Sequence, residues 1–208
     1  MSYQLQPIYG EHFGPGYIGF TNSTSAISEG ITWFSSAEEA IAFEEDLPKE
    51  FEEGASHTFV AVSKMFGIES SVGGVKTFPL SKYIDDPHVQ LVFRKPLVLD
   101  EIVIAELIAR MVWLEQQKTP YDYTGLVGYV LKILSPLDNL LPFINKLPAP
   151  LHWPGGLFCS AAVSDGFKHT QEYADLPLFR KFHVSRISPN MFWNRFPWKP
   201  LRLTEDSE

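Results

Sequence analysis

The apolar pattern of this chain changes character at Asp100, and that change limits the fold more than any other feature. Ahead of it lie short runs rich in β-branched and aromatic residues. Residues 57–65 (HTFVAVSKM) alternate as a half-buried strand does, residues 89–94 (VQLVFR) read as another strand, and residues 16–20 (GYIGF) as a short one. Residues 67–69 and 75–78 read as a single strand that bends at Gly73-Gly74. Behind Asp100, itself a good N-cap, the segment 101–117 puts Ile104, Leu107, Ile108, Met111 and Leu114 at helical spacing toward a core. A further helix begins in 159–168, and residues 37–53, ending near Gly54, have helical composition as well. Strands, then a long helix, then a final helix is the order of an α+β fold.

A chain of 208 residues suits one domain, and a 45 % hydrophobic, 14 % aromatic composition is enough for a core without staples. The single cysteine rules out an internal disulfide. The longest apolar stretch, about 125–144, is broken by Lys132, Pro136, Asp138 and Pro142, so no membrane-spanning helix is expected. Within it 125–134 read as helix, and 135–156 as a proline-rich loop. The N-terminus MSYQLQPIYGEHFG has neither the basic nor the apolar region of a secretory leader, which leaves localisation open.

The formal charge of −8 repels phosphate backbones and argues against a nucleic-acid partner. The charge concentrates in 37–53, where Glu38, Glu39, Glu44, Glu45, Asp46, Glu50, Glu52 and Glu53 face only Lys49. A solvated face is the plain reading, and a lid or a surface for an assembly partner is the alternative. The tail 186–200 (RISPNMFWNRFPWKP) reads as an irregular aromatic clamp over the core, with the extension 186–208 as a second partner surface.

The chemistry concentrates in 155–167 (GGLFCSAAVSDGF). Cys159 follows two glycines and precedes Ser160, Ala161 and Ala162, where the sequence turns helical. A thiol in a first helical turn meets unpaired N–H groups and the positive end of the helix dipole, which favour thiolate and can hold an oxyanion. A buried structural Cys has the same local look. His57 opens a strand and is placed to point across the sheet edge toward a helix N-terminus, although a solvent-facing His would read alike. Glu69 stands one short strand later, where a carboxylate can fix the tautomer of His57, or be an ordinary turn residue. The remaining histidines, His12, His88, His152, His169 and His183, show no metal-binding spacing, so no metal or cofactor is expected.

Together these pieces resemble the permuted NlpC-type papain-like proteins, especially the YiiX-like branch. The resemblance rests on Gly16-Tyr17-Ile18-Gly19-Phe20, Ile27-Ser28-Glu29-Gly30-Ile31-Thr32-Trp33-Phe34-Ser35 and Ser56-His57. It continues through Ile68-Glu69, Gly74-Val75, Pro79-Leu80, Tyr83, Tyr121-Asp122-Tyr123 and Phe158-Cys159-Ser160, and covers roughly 14–168. It implies an antiparallel sheet packed on helices, with the histidine strand ahead of the cysteine helix. It also implies Cys159 as nucleophile, His57 as base and Glu69 as the orienting group, with Tyr123 and Ser160 as substrate or oxyanion contacts. The sequence departs from the pattern at Tyr17, where Asp is usual, at Ala161, where an acid is common, and in the lengthened acidic connection 37–53.

The implied activity is amide hydrolysis through an acyl-enzyme, with the peptide or amide bonds of bacterial cell-wall peptidoglycan as first expected substrate. Acyl transfer from lipid esters and a thioesterase are enzymatic alternatives on the same fold. A non-catalytic module of a larger assembly, such as a phage particle, is the non-enzymatic one.

Overall fold

A computed structural model of the chain describes residues 7–23, 54–124 and 155–200; the acidic segment 37–53, the helix expected over 125–134 and the expected proline-rich loop up to 154 lie outside these residues. The β-branched and aromatic runs form five strands: β1 (Ile18–Ser23), β2 (His57–Ala61), β3 (Phe66–Ser71), β4 (Gly74–Pro79) and β5 (Val89–Arg94). They make one sheet in the order β4-β3-β2-β1-β5, with every neighbouring pair antiparallel.

Three strands differ from their sequence reading. The one expected over 16–20 runs Ile18–Ser23, because pairing with β5 continues as far as Ser23 opposite Val89. The single bent strand expected over 67–78 is a hairpin of β3 and β4, because Gly73 and Gly74 take φ of +94° and +98° and the chain reverses there. Glycine enters that region without the cost a Cβ would bring. β2 stops at Ala61, short of residue 65, because Ser63 Oγ accepts from the N–H groups of Met65 (3.2 Å) and Phe66 (3.0 Å) and turns the chain.

Alternation gives the sheet two different faces. One carries Phe59, Ala61, Phe78, Leu80 and Phe93, with Phe13 stacked on Phe93 at 4.4 Å. A Cβ at Gly19 would collide with the Phe59 ring, so glycine on β1 is what lets that ring lie across the strand. The other face carries Ile18, Phe20, Val60, Ile68 and Val75, and packs on the helices.

After α1 (Ser81–Ile84), the long helix α2 (Glu101–Gln116) starts where expected, with the Asp100 side chain accepting from the Val103 N–H. Its buried stripe is Val103, Leu107, Met111 and Leu114; Ile104 and Ile108, expected inside, are only half-buried. The rotation follows from helix α3 (Cys159–Lys168), whose Gly166 lies where a Cβ would come within 2.7 Å of Leu107. Close approach at Gly166 draws Leu107 and Met111 inward, and Arg110 Nε on Asp165 Oδ2 at 2.7 Å holds the rim of the same contact.

The tail is more ordered than its sequence reading. After α4 (Pro177–Lys181) and a single 3₁₀ turn (Val184–Arg186) comes α5 (Pro189–Arg195). Ser188 caps α5 through the Met191 N–H, and Pro189 occupies its first turn, two start signals that outweigh the aromatic composition. Phe192 and Phe196 are buried in the main core against Phe167 and Tyr173. The core therefore includes Met191, Phe192 and Phe196, with Trp193 and Trp198 half-buried against it as a clamp would be, while Asn194, Arg195, Lys199 and Pro200 stay exposed. Each such buried ring contributes on the order of 2–3 kcal/mol of apolar transfer.

Candidate active site

The site begins with strand register. Phe59 pairs with Glu69 across β2 and β3, so His57, two residues before Phe59, lies diagonally across from Glu69 on the same face. His57 Nε2 is 3.0 Å from Glu69 Oε2. Glu69 has no exposed side-chain surface, and three further donors reach it. Tyr83 Oη donates to Oε2 at 2.7 Å, Ser71 Oγ to Oε1 at 2.8 Å and Lys82 Nζ to Oε1 at 2.7 Å. Burial alone would raise the Glu69 pKa. The hydrogen bond and charge of His57, then the bonds from Lys82 and Tyr83, outweigh it and hold the carboxyl well below the usual carboxylate range. An ionised carboxylate only accepts, so Nε2 carries a proton and Nδ1 is the nitrogen left for another partner.

That partner is Cys159. Burial alone would lower the His57 pKa. The charge of Cys159 and the hydrogen bond that its sulfur accepts from the ring, then the bond and charge of Glu69, reverse this and push it up to about 9. Cys159 is the first residue of α3, follows the extended Phe158 (φ −84°, ψ 176°), and no side chain caps that helix start. It is buried among Phe158, Ala161, Leu157 and Tyr121.

Two backbone anchors set its place. Ser70 Oγ donates to the Leu157 carbonyl at 2.6 Å, and the Leu157 N–H donates to the Pro120 carbonyl at 3.0 Å. Glu69 and Ser70 are consecutive in a strand, so they face opposite ways: one orients the histidine and the other fixes the approach to the cysteine.

The Val75 N–H donates to the Thr119 carbonyl at 3.0 Å, which lays the 119–121 segment beside β4. This explains which tyrosine reaches the thiol. Tyr121, and not Tyr123, packs in the cysteine cluster. Burial first, then the charge of Cys159, raises the Tyr121 pKa far above its ordinary value, so its hydroxyl stays a donor. Tyr123 is 50 % exposed and lies edge-on against Tyr121, with ring centroids 4.8 Å apart. Ser160 is fully buried, and its hydroxyl donates to the Ile187 carbonyl at 2.7 Å; what it offers at the helix start is its backbone N–H.

Sequence reasoning assigned no role to Ser71, Lys82 or Tyr83. Tyr83 stood in the motif without a function, Ser71 follows Glu69 by two and so shares its face, and Lys82 gave no signal at all. Of the other described histidines, His12 Nδ1 accepts from the Ile8 N–H, His169 Nδ1 lies 2.8 Å from the Asp165 carbonyl oxygen, and His183 Nδ1 contacts Ser185 Oγ. Among the described residues, no group of three or more His, Cys, Asp or Glu side chains could hold a metal ion. Compared with known protein families, curated proteins and solved structures, the chain matches none.

Proposed function

We propose that this protein is a cysteine hydrolase working through a Cys159–His57–Glu69 triad, in a permuted papain-like arrangement. The observation that carries the reading is a histidine bonded on one nitrogen to a buried carboxylate and coupled to a thiol at an uncapped helix start. The chain order adds support, since His57 on β2 and Glu69 on β3 precede the helix that opens on Cys159.

In the reaction, the Cys159 thiolate attacks a carbonyl carbon and a C–S bond forms. The oxygen takes up the negative charge, which in this reading the first-turn N–H groups and the Tyr121 hydroxyl receive. The intermediate collapses, the C–N bond breaks, and the His57 imidazolium gives its proton to the departing amine. A water then gives a proton to His57 and its oxygen to the thioester carbon, the C–S bond breaks, and the acid leaves with the Cys159 thiolate and His57 imidazolium restored. A histidine protonated up to about pH 9 is suited to an amine, which leaves only with a proton, so amides fit better than esters. Peptide or amide bonds of peptidoglycan are the proposed substrate.

The test is digestion. Wild-type protein and Cys159→Ala are incubated with intact peptidoglycan, and released fragments are identified by mass spectrometry. Fragments from the wild type alone are expected. Silence from both, with a reactive thiol in the wild type, would remove peptidoglycan and shift the assignment to lipid esters.

A further inference from the structure

Lys82 lies one turn into the chain after β4, and its side chain is tied to the buried end of the site. Its ammonium is 2.7 Å from Glu69 Oε1 and 2.8 Å from Tyr83 Oη, and stands 4.5 Å from the Tyr83 ring centroid and 5.3 Å from that of Phe78. Surface lysines seldom hold one position in this way, because they have rotamer entropy to lose. Here the partner carboxylate is fully buried while the lysine side chain is 42 % exposed, so the lysine carries charge into the site from its rim.

The charges of the proposed working form explain what such a residue does. Cys159 contributes −1, His57 +1 and Glu69 −1, a sum of −1 in a buried setting. An uncompensated buried charge is costly, and the cheapest relief is to take up a proton, which would quench either the thiolate or the orienting carboxylate. The Lys82 ammonium offsets that excess among these four groups, before the buried Asp122 is counted. Lys76, opposite Glu69 across β3 and β4, does not do so, because it turns its ammonium to the Val72 carbonyl at 3.0 Å. Further titratable neighbours are Tyr83 on α1, Tyr121, and Asp122, which is buried beside Tyr121 and adds negative charge.

We propose that Lys82 is a positioning residue whose charge allows the Cys159 thiolate and the His57 imidazolium to coexist in a buried site. The inference rests on the triad reading, and the experiment separates the two. The chain has one cysteine, so carbamidomethylation by iodoacetamide, counted by mass, reports on Cys159 alone. Second-order rates are measured from pH 5 to 9 for wild type, Lys82→Gln, Lys82→Met, Lys82→Arg and His57→Ala, with thermal melting as the check on folding.

The wild type is expected to react well at pH 6. Lys82→Gln and Lys82→Met should be about tenfold slower there, the effect of one nearby charge at an effective dielectric near 20, and should converge on wild type at pH 9. Lys82→Arg should stay within about twofold of wild type. Folded Gln and Met variants with the wild-type profile, beside a slow His57→Ala, would overturn the role of Lys82 and leave the triad standing. A wild type as slow as His57→Ala at pH 6 would sink the triad, and this inference with it. Loss of cooperative melting in both Gln and Met variants, with Arg folded, would make Lys82 a residue that holds the fold and would also overturn the proposal.

Discussion

The two ends of the site are built differently. At the carboxylate end, Glu69 is wholly enclosed and receives four donors, two on each oxygen, beneath the rings of Phe59, Phe78 and Tyr83. At the thiol end, Cys159 opens a helix that no side chain caps, and its position comes from backbone anchors at Leu157. Donors at the carboxylate end are already spent on the protein. Donors at the thiol end, the first-turn N–H groups, are kept for something that arrives. Pre-organisation suits the group that must not move during a reaction, and unsatisfied N–H groups suit the place where charge develops.

The contrast breaks most directly under paired substitutions. Glu69→Gln keeps the shape but removes the charge facing His57 and Lys82, and should destabilise the fold by about 3 kcal/mol, as breaking a buried ion pair does. Cys159→Ala removes one sulfur from a small cluster and should cost about 1 kcal/mol. Urea unfolding of the two variants checks both figures. Equal losses would mean that the carboxylate end is no more tightly built than the thiol end.

The coupling between the ends shows in pH. The folded-state pKa of His57 is raised from 6.5 to about 9, so its stabilisation is complete below about 6.5 and is lost as pH rises through about 9. That of Glu69 is lowered from 4.5, so its stabilisation is complete above about 4.5 and is lost as pH falls below it. Together the pair should stabilise most between about pH 4.5 and 6.5. The largest influence raising His57 is Cys159, so in Cys159→Ala the alkaline decline should begin at lower pH. Urea midpoints from pH 4 to 10 read both limbs. An alkaline limb unmoved by the substitution would separate His57 from Cys159.

The parts of the molecule fixed by local rules were legible in the sequence. Asp100 announced α2, alternation announced β2, and the small residues after Cys159 announced α3. His57 and Glu69 were readable because a diagonal strand pair is a short-range relation once both strands are placed. Lys82 was not, because it reaches Glu69 from the short helix α1, beyond β4, and no spacing rule connects the two. Val103 was missed as a core residue because its inward turn depends on Gly166 of a different helix. The aromatic tail was read by composition, while its Ser188-Pro189 start signal, present in the sequence, was the better guide.

The two tyrosines of the 121–123 segment give the smallest and sharpest test of the thiol end. Both sit in the same short motif, and a two-residue difference decides which can touch the chemistry. Backbone bonds at Thr119 and Pro120 hold the segment so that Tyr121 meets the cysteine cluster while Tyr123 faces outward. Tyr121→Phe keeps the ring and its packing, and removes only the hydroxyl. If that hydroxyl receives developing charge, kcat should fall several-fold to about thirtyfold with KM little changed, because the lost interaction exists only in the transition state. Tyr123→Phe should alter either constant by less than about twofold, as expected of an exposed side chain that packs on its neighbour. A reversed result, with Tyr123→Phe the slower enzyme, would mean that substrate binding draws the outer tyrosine inward and that the thiol end rearranges before it reacts. Equal, small effects from both would leave the first-turn N–H groups of α3 as the whole of the oxyanion site.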